Sequence, residues 1–256
     1  MKFPLTLCTL LIAASSVIAQ IPSGPKQILH DFRSNSTTQP AKIPAATQKF
    51  VLSKVFRRYL SDSSKCNPNF NGNGANDYLK AARNAGQIAP SVIDSITGSF
   101  TAAGMTQTAY LISVSECGAS HADNFGSDRV AIFAGQQLVA DLDVDFKNTF
   151  LHKTDLNGDG IDEFLMSSGY MNQGELTESA ALLSFQGGHL TVIQDLETVT
   201  QNSCGSGYPG SSAKAAVISI GSAMPGKMPR LQSDNYQSPC RTAKKWKFLS
   251  SGKMPG

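Results

Sequence analysis

Residues 154–169, TDLNGDGIDEFLMSSG, place four acidic side chains, an asparagine and two glycines within ten positions before the chain turns apolar. Oxygen donors at alternate positions are the chemistry of a hard cation. Calcium takes about six to eight oxygens, and alternate residues of a tight loop point theirs inward while glycine permits the reversal. Read as an EF-hand, Asp155, Asn157, Asp159, Gly160 and the Ile161 carbonyl take the early ligand positions, but Met166 stands where the closing bidentate glutamate belongs. The flanks NTFLHK and EFLMSS have strand character, which disfavours a helix–loop–helix. The shorter pattern D-x-N-x-D-G-x-x-(D/E) fits without a gap through Asp155, Asn157, Asp159, Gly160 and Glu163. The competing reading is a solvated, Asx-rich turn with no ion.

Two other stretches could do chemistry. SECGASHADNFGSDR, residues 115–129, brings Ser120, His121, Asp123 and Asp128 near Cys117. Nucleophile, base and orienter of a hydrolase could converge there if the loop folds back. No G-x-S-x-G elbow accompanies it, and a polar inter-strand loop held by a disulfide is the plainer reading. His152 lies three residues before Asp155, but imidazole is a poor calcium ligand. Trp246, within KKWKF, could stack on a sugar or a base, and one buried strand face explains it equally well.

The elements that must position these residues differ along the chain. Residues 20–47 are rich in Pro, Ser, Thr and Gln with almost no apolar periodicity, which predicts an exposed leader. In QKFVLSKVFRRYL the apolar residues Val51, Leu52, Val55, Phe56, Tyr59 and Leu60 recur three and four apart, predicting an amphipathic helix packed on a core. YLKAARNAG, with Asn76 before it and Gly86 at its end, predicts a second short helix, and the helical region is expected over 48–95. From about Ile96 to residue 256 short β-branched and aromatic runs alternate with Gly, Ser and Asn, predicting a β-rich domain. The runs repeat. DRVAIFAGQQLVADLDVD and ESAALLSFQGGHLTVIQDLETV share a strand with a phenylalanine, a glycine turn and a strand ending near an Asp; Phe133 and Phe185 are 52 residues apart. Tyr110-Leu111-Ile112 and Phe164-Leu165-Met166 match at 54, and Val217-Ile218 follow about 53 further on. A period of about 50 residues with roughly four strands per unit predicts propeller-like blades, three of them visible. A closed propeller takes about four or more, so a hidden blade, oligomerisation or another closure is implied.

At this point the loop and the strand after it resemble the calcium-binding blades of FG-GAP and VCBS repeats, the integrin α-subunit type of β-propeller. The resemblance covers one blade of about 50 residues, and the ligand set occurs once. It implies that the loop joins the first two strands of a blade. It also implies that Asp155, Asn157, Asp159, the Ile161 carbonyl and Glu163 hold Ca²⁺. The corresponding turns TAAGMTQTAY and YPGSSAKAAV carry no carboxylate.

Composition bounds what such a domain can be. The chain has 256 residues, 41% hydrophobic and 16% charged, with a net charge of +3, which excludes wholesale disorder and does not fit a dedicated nucleic-acid binder. Residues 1–19, a basic start and an apolar run ending in Val17 and Ala19, predict a signal peptide, hence export to a periplasmic or extracellular space; no apolar stretch is long enough for a transmembrane helix. Cys66, Cys117, Cys204 and Cys240 then predict two disulfides; of three connectivities, Cys66–Cys117 and Cys204–Cys240 are preferred because each joins near neighbours. Lys227, Arg230, Arg241, Lys244, Lys245, Lys247 and Lys253 face a single Asp234 within 226–256. The expected function is a secreted, calcium-binding binding or structural module and not an enzyme, with an unknown macromolecular or cell-surface ligand. The alternatives are a hydrolase using the His121 loop and a binder of anionic surface polymers through the basic C-terminal stretch.

Overall fold

The computed structural model describes residues 26–34, 42–56, 88–116, 128–144, 149–186, 188–221, 227–240 and 245–253. The expected signal peptide, the second short helix, the Cys66–Cys117 pair and the His121 loop lie outside these residues. In chain order the elements are β1 (Ile28–Asp31), α1 (Ala45–Val55), β2 (Ile88–Gly98), β3 (Gln107–Glu116), β4 (Asp128–Ala134) and β5 (Gln137–Val144). There follow β6 (Thr149–Thr154), β7 (Glu163–Asn172), β8 (Glu175–Gln186), β9 (His189–Asn202), β10 (Ser212–Ile220), β11 (Leu231–Pro239) and β12 (Lys247–Lys253).

The chain is mainly β, in two antiparallel sheets. One is the meander β2-β3-β4-β5; the other runs β12-β11-β10-β9-β8-β7-β6, with β1 also paired to β10. No barrel closes among the described residues. Of the three expected units, the strands β2–β5 form one four-stranded meander, and β6–β9 are four antiparallel strands within the larger sheet. The third, β10–β12, is not a separate sheet: Ala213, Lys214 and Ala215 pair with Asn202, Gln201 and Thr200 of β9, which makes it continuous with the second.

Strand alternation explains the layers, because successive side chains point to opposite faces. Ala109 and Leu111 of β3, with Val130 and Ile132 of β4, meet Phe164, Met166, Ala181 and Leu183 of the larger sheet in one buried core. On the other face of the small sheet, Ile112, Val114, Ala131 and Phe133 receive Val51, Leu52 and Phe56 from α1 and its end. The amphipathic helix therefore packs its apolar stripe on a sheet, starting at Ala45. Leu165 and Leu182 turn to the far face of the larger sheet, where they pack with Leu29, Phe32, Ile218 and Leu231. That sheet bends back over itself along β9, where Glu197 adopts φ 48° and Asp195 Oδ1 accepts its N–H at 2.9 Å, an Asx-type bulge.

Three expectations on boundaries change. Residues 20–47 are not wholly an exposed leader, since β1 pairs with β10 and buries Leu29 and Phe32. Its four residues are too short to show a period, so the pairing comes from tertiary contact. β2 begins at Ile88, well before Ile96, and the helical region cannot extend to 95. Pro90 argues against a strand in sequence but is tolerated here because β2 is a sheet edge.

Carboxylates pin the two sheets together beside the acidic loop. Asp94 of β2, buried, accepts the Phe150 N–H at 2.9 Å and the Thr149 hydroxyl at 3.0 Å from β6. Asp162 Oδ2 accepts the Ser99 N–H at 2.8 Å and pairs with Lys153 Nζ at 3.1 Å, while the Asp162 N–H donates to the Ser99 carbonyl at 2.6 Å. Cys204 and Cys240 form a disulfide, Cα atoms 5.3 Å apart, as the near-neighbour pairing predicts.

Candidate metal centre

The acidic loop spans 155–162 and joins β6 to β7, the first two strands of the second meander. Its turns are built by side chains. Asp155 Oδ1 accepts the N–H groups of Gly158 at 2.7 Å and Asp159 at 3.2 Å, and Oδ2 accepts that of Gly160 at 2.8 Å. Asn157 Oδ1 accepts the Asp159 N–H at 2.9 Å, its Nδ2 donates to Asp159 Oδ2 at 2.9 Å, and Asp159 Oδ1 accepts the Ile161 N–H at 2.8 Å. Gly160 is required twice over. Its φ is 83°, and a Cβ there would stand 2.7 Å from the Ala103 Cβ on the β2–β3 turn, so the two meanders touch at this loop.

Glu163 closes the set from below. It is fully buried, its Oε2 accepts the Leu156 N–H at 2.8 Å, and Ser184 Oγ donates to Oε1 at 3.5 Å. Burial pushes its carboxyl upward, the Leu156 N–H pulls it down, and the charges of Asp159 and Asp155 push it up again. Among the described residues no cation pairs with it.

The structure thus brings Asp155, Asn157, Asp159 and Ile161 onto one turn, with Glu163 at its base. It does not bring any three His, Cys, Asp or Glu side chains into a ready metal cluster among the described residues. The Asp155 and Asp159 oxygens face the loop's own N–H groups. That arrangement is compatible with an ion, because an ionised carboxylate offers about four lone-pair sites, of which N–H bonds use only some. The donor set is all oxygen, as a hard cation requires, and it includes one buried carboxylate beside two others with no positive charge to offset them. The donor chemistry thus suits a hard cation, while the side chains are not gathered into a ligand cluster.

Sequence reading missed Ser184. It lies opposite Glu163, one step beyond the Phe164–Leu183 pair, and counting back from the Asn172–Glu175 pair at the hairpin end would have found it. His152, set opposite Leu165, lies close enough to His30 for its charge to lower the His30 pKa, which burial already lowers more. Asp162 is committed to Ser99 and Lys153. Trp246 packs, half-buried, on the far core. Of the basic stretch, Lys245 and Lys247 stand exposed at the edge strand, while Asp234 pairs with Lys26 at 2.6 Å.

Asp128, at the start of β4, is buried away from the loop. Its carboxyl is pushed up to about 7 by burial, against a Ser113 hydrogen bond that lowers it. The folded chain therefore keeps a proton that the unfolded chain releases near the ordinary carboxylate pKa of about 4. Its contribution is fully present below pH 4 and lost as pH rises through 7, at most about 4 kcal/mol. Asp128→Asn should flatten this dependence, with urea denaturation showing it more stable than the parent at pH 8 and the two converging near pH 4.

Comparison of the chain with protein-family models, with curated proteins and with solved structures finds no match in any of the three.

Proposed function

We propose that this is an exported β domain of FG-GAP/VCBS, propeller-like character that binds one calcium ion at the β6–β7 loop and serves as a binding or structural module. One observation carries the reading: Glu163 is fully buried against the charges of Asp155 and Asp159 with no cation beside it among the described residues. Two further features support it. The loop joins the first two strands of a four-stranded meander, and the preceding meander meets it at Ala103. Export is supported by the Cys204–Cys240 disulfide.

In this reading Asp155, Asn157, Asp159, the Ile161 carbonyl and Glu163 hold the ion. Calcium would offset most of the charge of the three carboxylates and tie β6 to β7, a folding role that activates no water. Calorimetric titration of calcium into chelator-treated protein should show one site with a Kd of about 10⁻⁴ to 10⁻³ M, the range of extracellular modules. Asp155→Ala and Asp159→Ala should each abolish saturable heat in that range. No heat with the parent chain, together with a melting temperature indifferent to calcium, would leave the loop as an Asx turn.

A further inference from the structure

A second site lies at the other end of the β7–β8 hairpin. Tyr170 and Tyr208 are 61% and 68% exposed and stand side by side along one groove. They flank a groove of about 240 Å³ whose remaining lining is Asn172, Gln173, Glu175, Thr177 and Ser206. Tyr170 pairs opposite Thr177, and Asn172 opposite Glu175, so all four share one face of the hairpin. Tyr208 comes from the loop after β9. We propose that this groove binds a neutral carbohydrate, taking one or two pyranose units of a longer chain.

Both walls are fixed before any ligand arrives. Gln173 and Gly174, at φ 47° and 78°, make a two-residue type I′ turn. A Cβ at Gly174 would run into the Gly205 carbonyl oxygen, so the hairpin tip rests directly on the backbone beside Cys204. The Cys204–Cys240 disulfide ties that backbone to the end of β11. Within the loop, Ser206 Oγ donates to the Ser203 carbonyl at 2.7 Å, and Ser211 Oγ donates to the Tyr208 carbonyl at 2.7 Å. A groove held this way loses little conformational entropy on binding.

The lining chemistry selects the ligand. The C–H face of a pyranose carries slight positive charge and lies on the electron-rich face of an aromatic ring. Its hydroxyls both donate and accept, matching two amides, two hydroxyls and a carboxylate. No Lys or Arg lines the groove among the described residues, which disfavours phosphate or nucleotide. A quaternary ammonium would also suit two rings and an acid, so choline is the competing ligand that the test includes; the amides and hydroxyls that make up the rest of the lining offer it nothing and favour a sugar. A volume below the roughly 300–1,000 Å³ of enclosing pockets suits an open cleft along a polymer. The inference gives a ligand class to the binding role proposed above but shares no residue with the calcium loop.

The full mature chain should be titrated by calorimetry with hexasaccharides of glucose, xylose, mannose and N-acetylglucosamine, and with choline. At least one hexasaccharide should bind saturably. Tyr170→Ala and Tyr208→Ala, both at exposed positions, should each weaken it tenfold or more, as loss of a stacking ring does elsewhere. Tyr208→Phe should retain binding, and Asp155→Ala should leave it unchanged, which separates this site from the calcium reading. Binding to none of the four sugars, binding by either alanine variant as tight as the parent's, or binding of choline in place of sugar would overturn the assignment.

Discussion

Glu163→Gln should melt higher than the parent chain in chelator and lower than it in saturating calcium. The glutamate is fully buried and lies within the electrostatic reach of Asp155 and Asp159, so its ionised form is opposed both by burial and by two like charges. The amide has nearly the same shape and keeps an oxygen for the Leu156 N–H. Removing the charge should therefore stabilise the ion-free fold, by about 1–2 kcal/mol on the scale of a buried polar group. With calcium the sign reverses. A ligand at one hundred times its Kd adds about 2.7 kcal/mol to the folded state. A neutral amide in place of a carboxylate forfeits most of that. Urea denaturation of both chains, in chelator and in calcium, reads the crossing directly. A variant less stable than the parent in both media would mean that Glu163 serves the fold through its hydrogen bonds alone.

The same residue shows how far the sequence could be read. Asp155, Asn157, Asp159 and the two loop glycines are local, so their spacing marks a tight turn under both the calcium and the Asx-turn readings, and a tight turn closed on its own N–H groups is the geometry found. The strands from β3 to β10 that bury two faces or alternate cleanly were legible for the same reason. What was not legible depends on partners distant in sequence. β1 is only Ile28–Asp31, and its place is set by β10, nearly two hundred residues away. β11 reads LQSDNYQSP, and its polar residues are sustained by neighbours on both sides: Ser233 is buried between Ile218 and Gly252 in register. The repeat shows the limit most clearly. The four strands β2–β5 and the four strands β6–β9 each follow in chain order, yet Asp143 and Asp195, 52 residues apart in the expected pattern, do different work. Asp143 accepts from Arg129 Nη1 at 2.5 Å, whereas Asp195 caps the Glu197 bulge. That bulge accompanies the bend that lets β10 continue the second sheet, and no period in the sequence announces it.

Phe164→Ala should cost the fold about 3–5 kcal/mol, the usual loss for an aromatic ring deleted from a close-packed interior. Phe164 is fully buried between the two sheets, stacked on Phe100 at 4.4 Å between ring centroids and tilted against Phe150 at 5.4 Å. Phe100 follows β2 and Phe150 lies in β6, so one ring joins both sheets at the edge where Asp94 and Asp162 also pin them. For a domain of this size the loss corresponds to a fall of about 10 °C in Tm. Phe164→Leu, which keeps most of the volume, should cost less than about 1.5 kcal/mol. Alternation along β7 sends Phe164 and Glu163 to opposite faces, so calcium affinity in the folded leucine variant should match the parent's. Saturating calcium should then stabilise parent and leucine variant by equal amounts, because the proposed ligands lie on the loop and the ring in the core behind it. A leucine variant that folds but no longer responds to calcium would show that the position of β7 against the smaller sheet, and not the loop alone, sets the geometry of the ion's ligands.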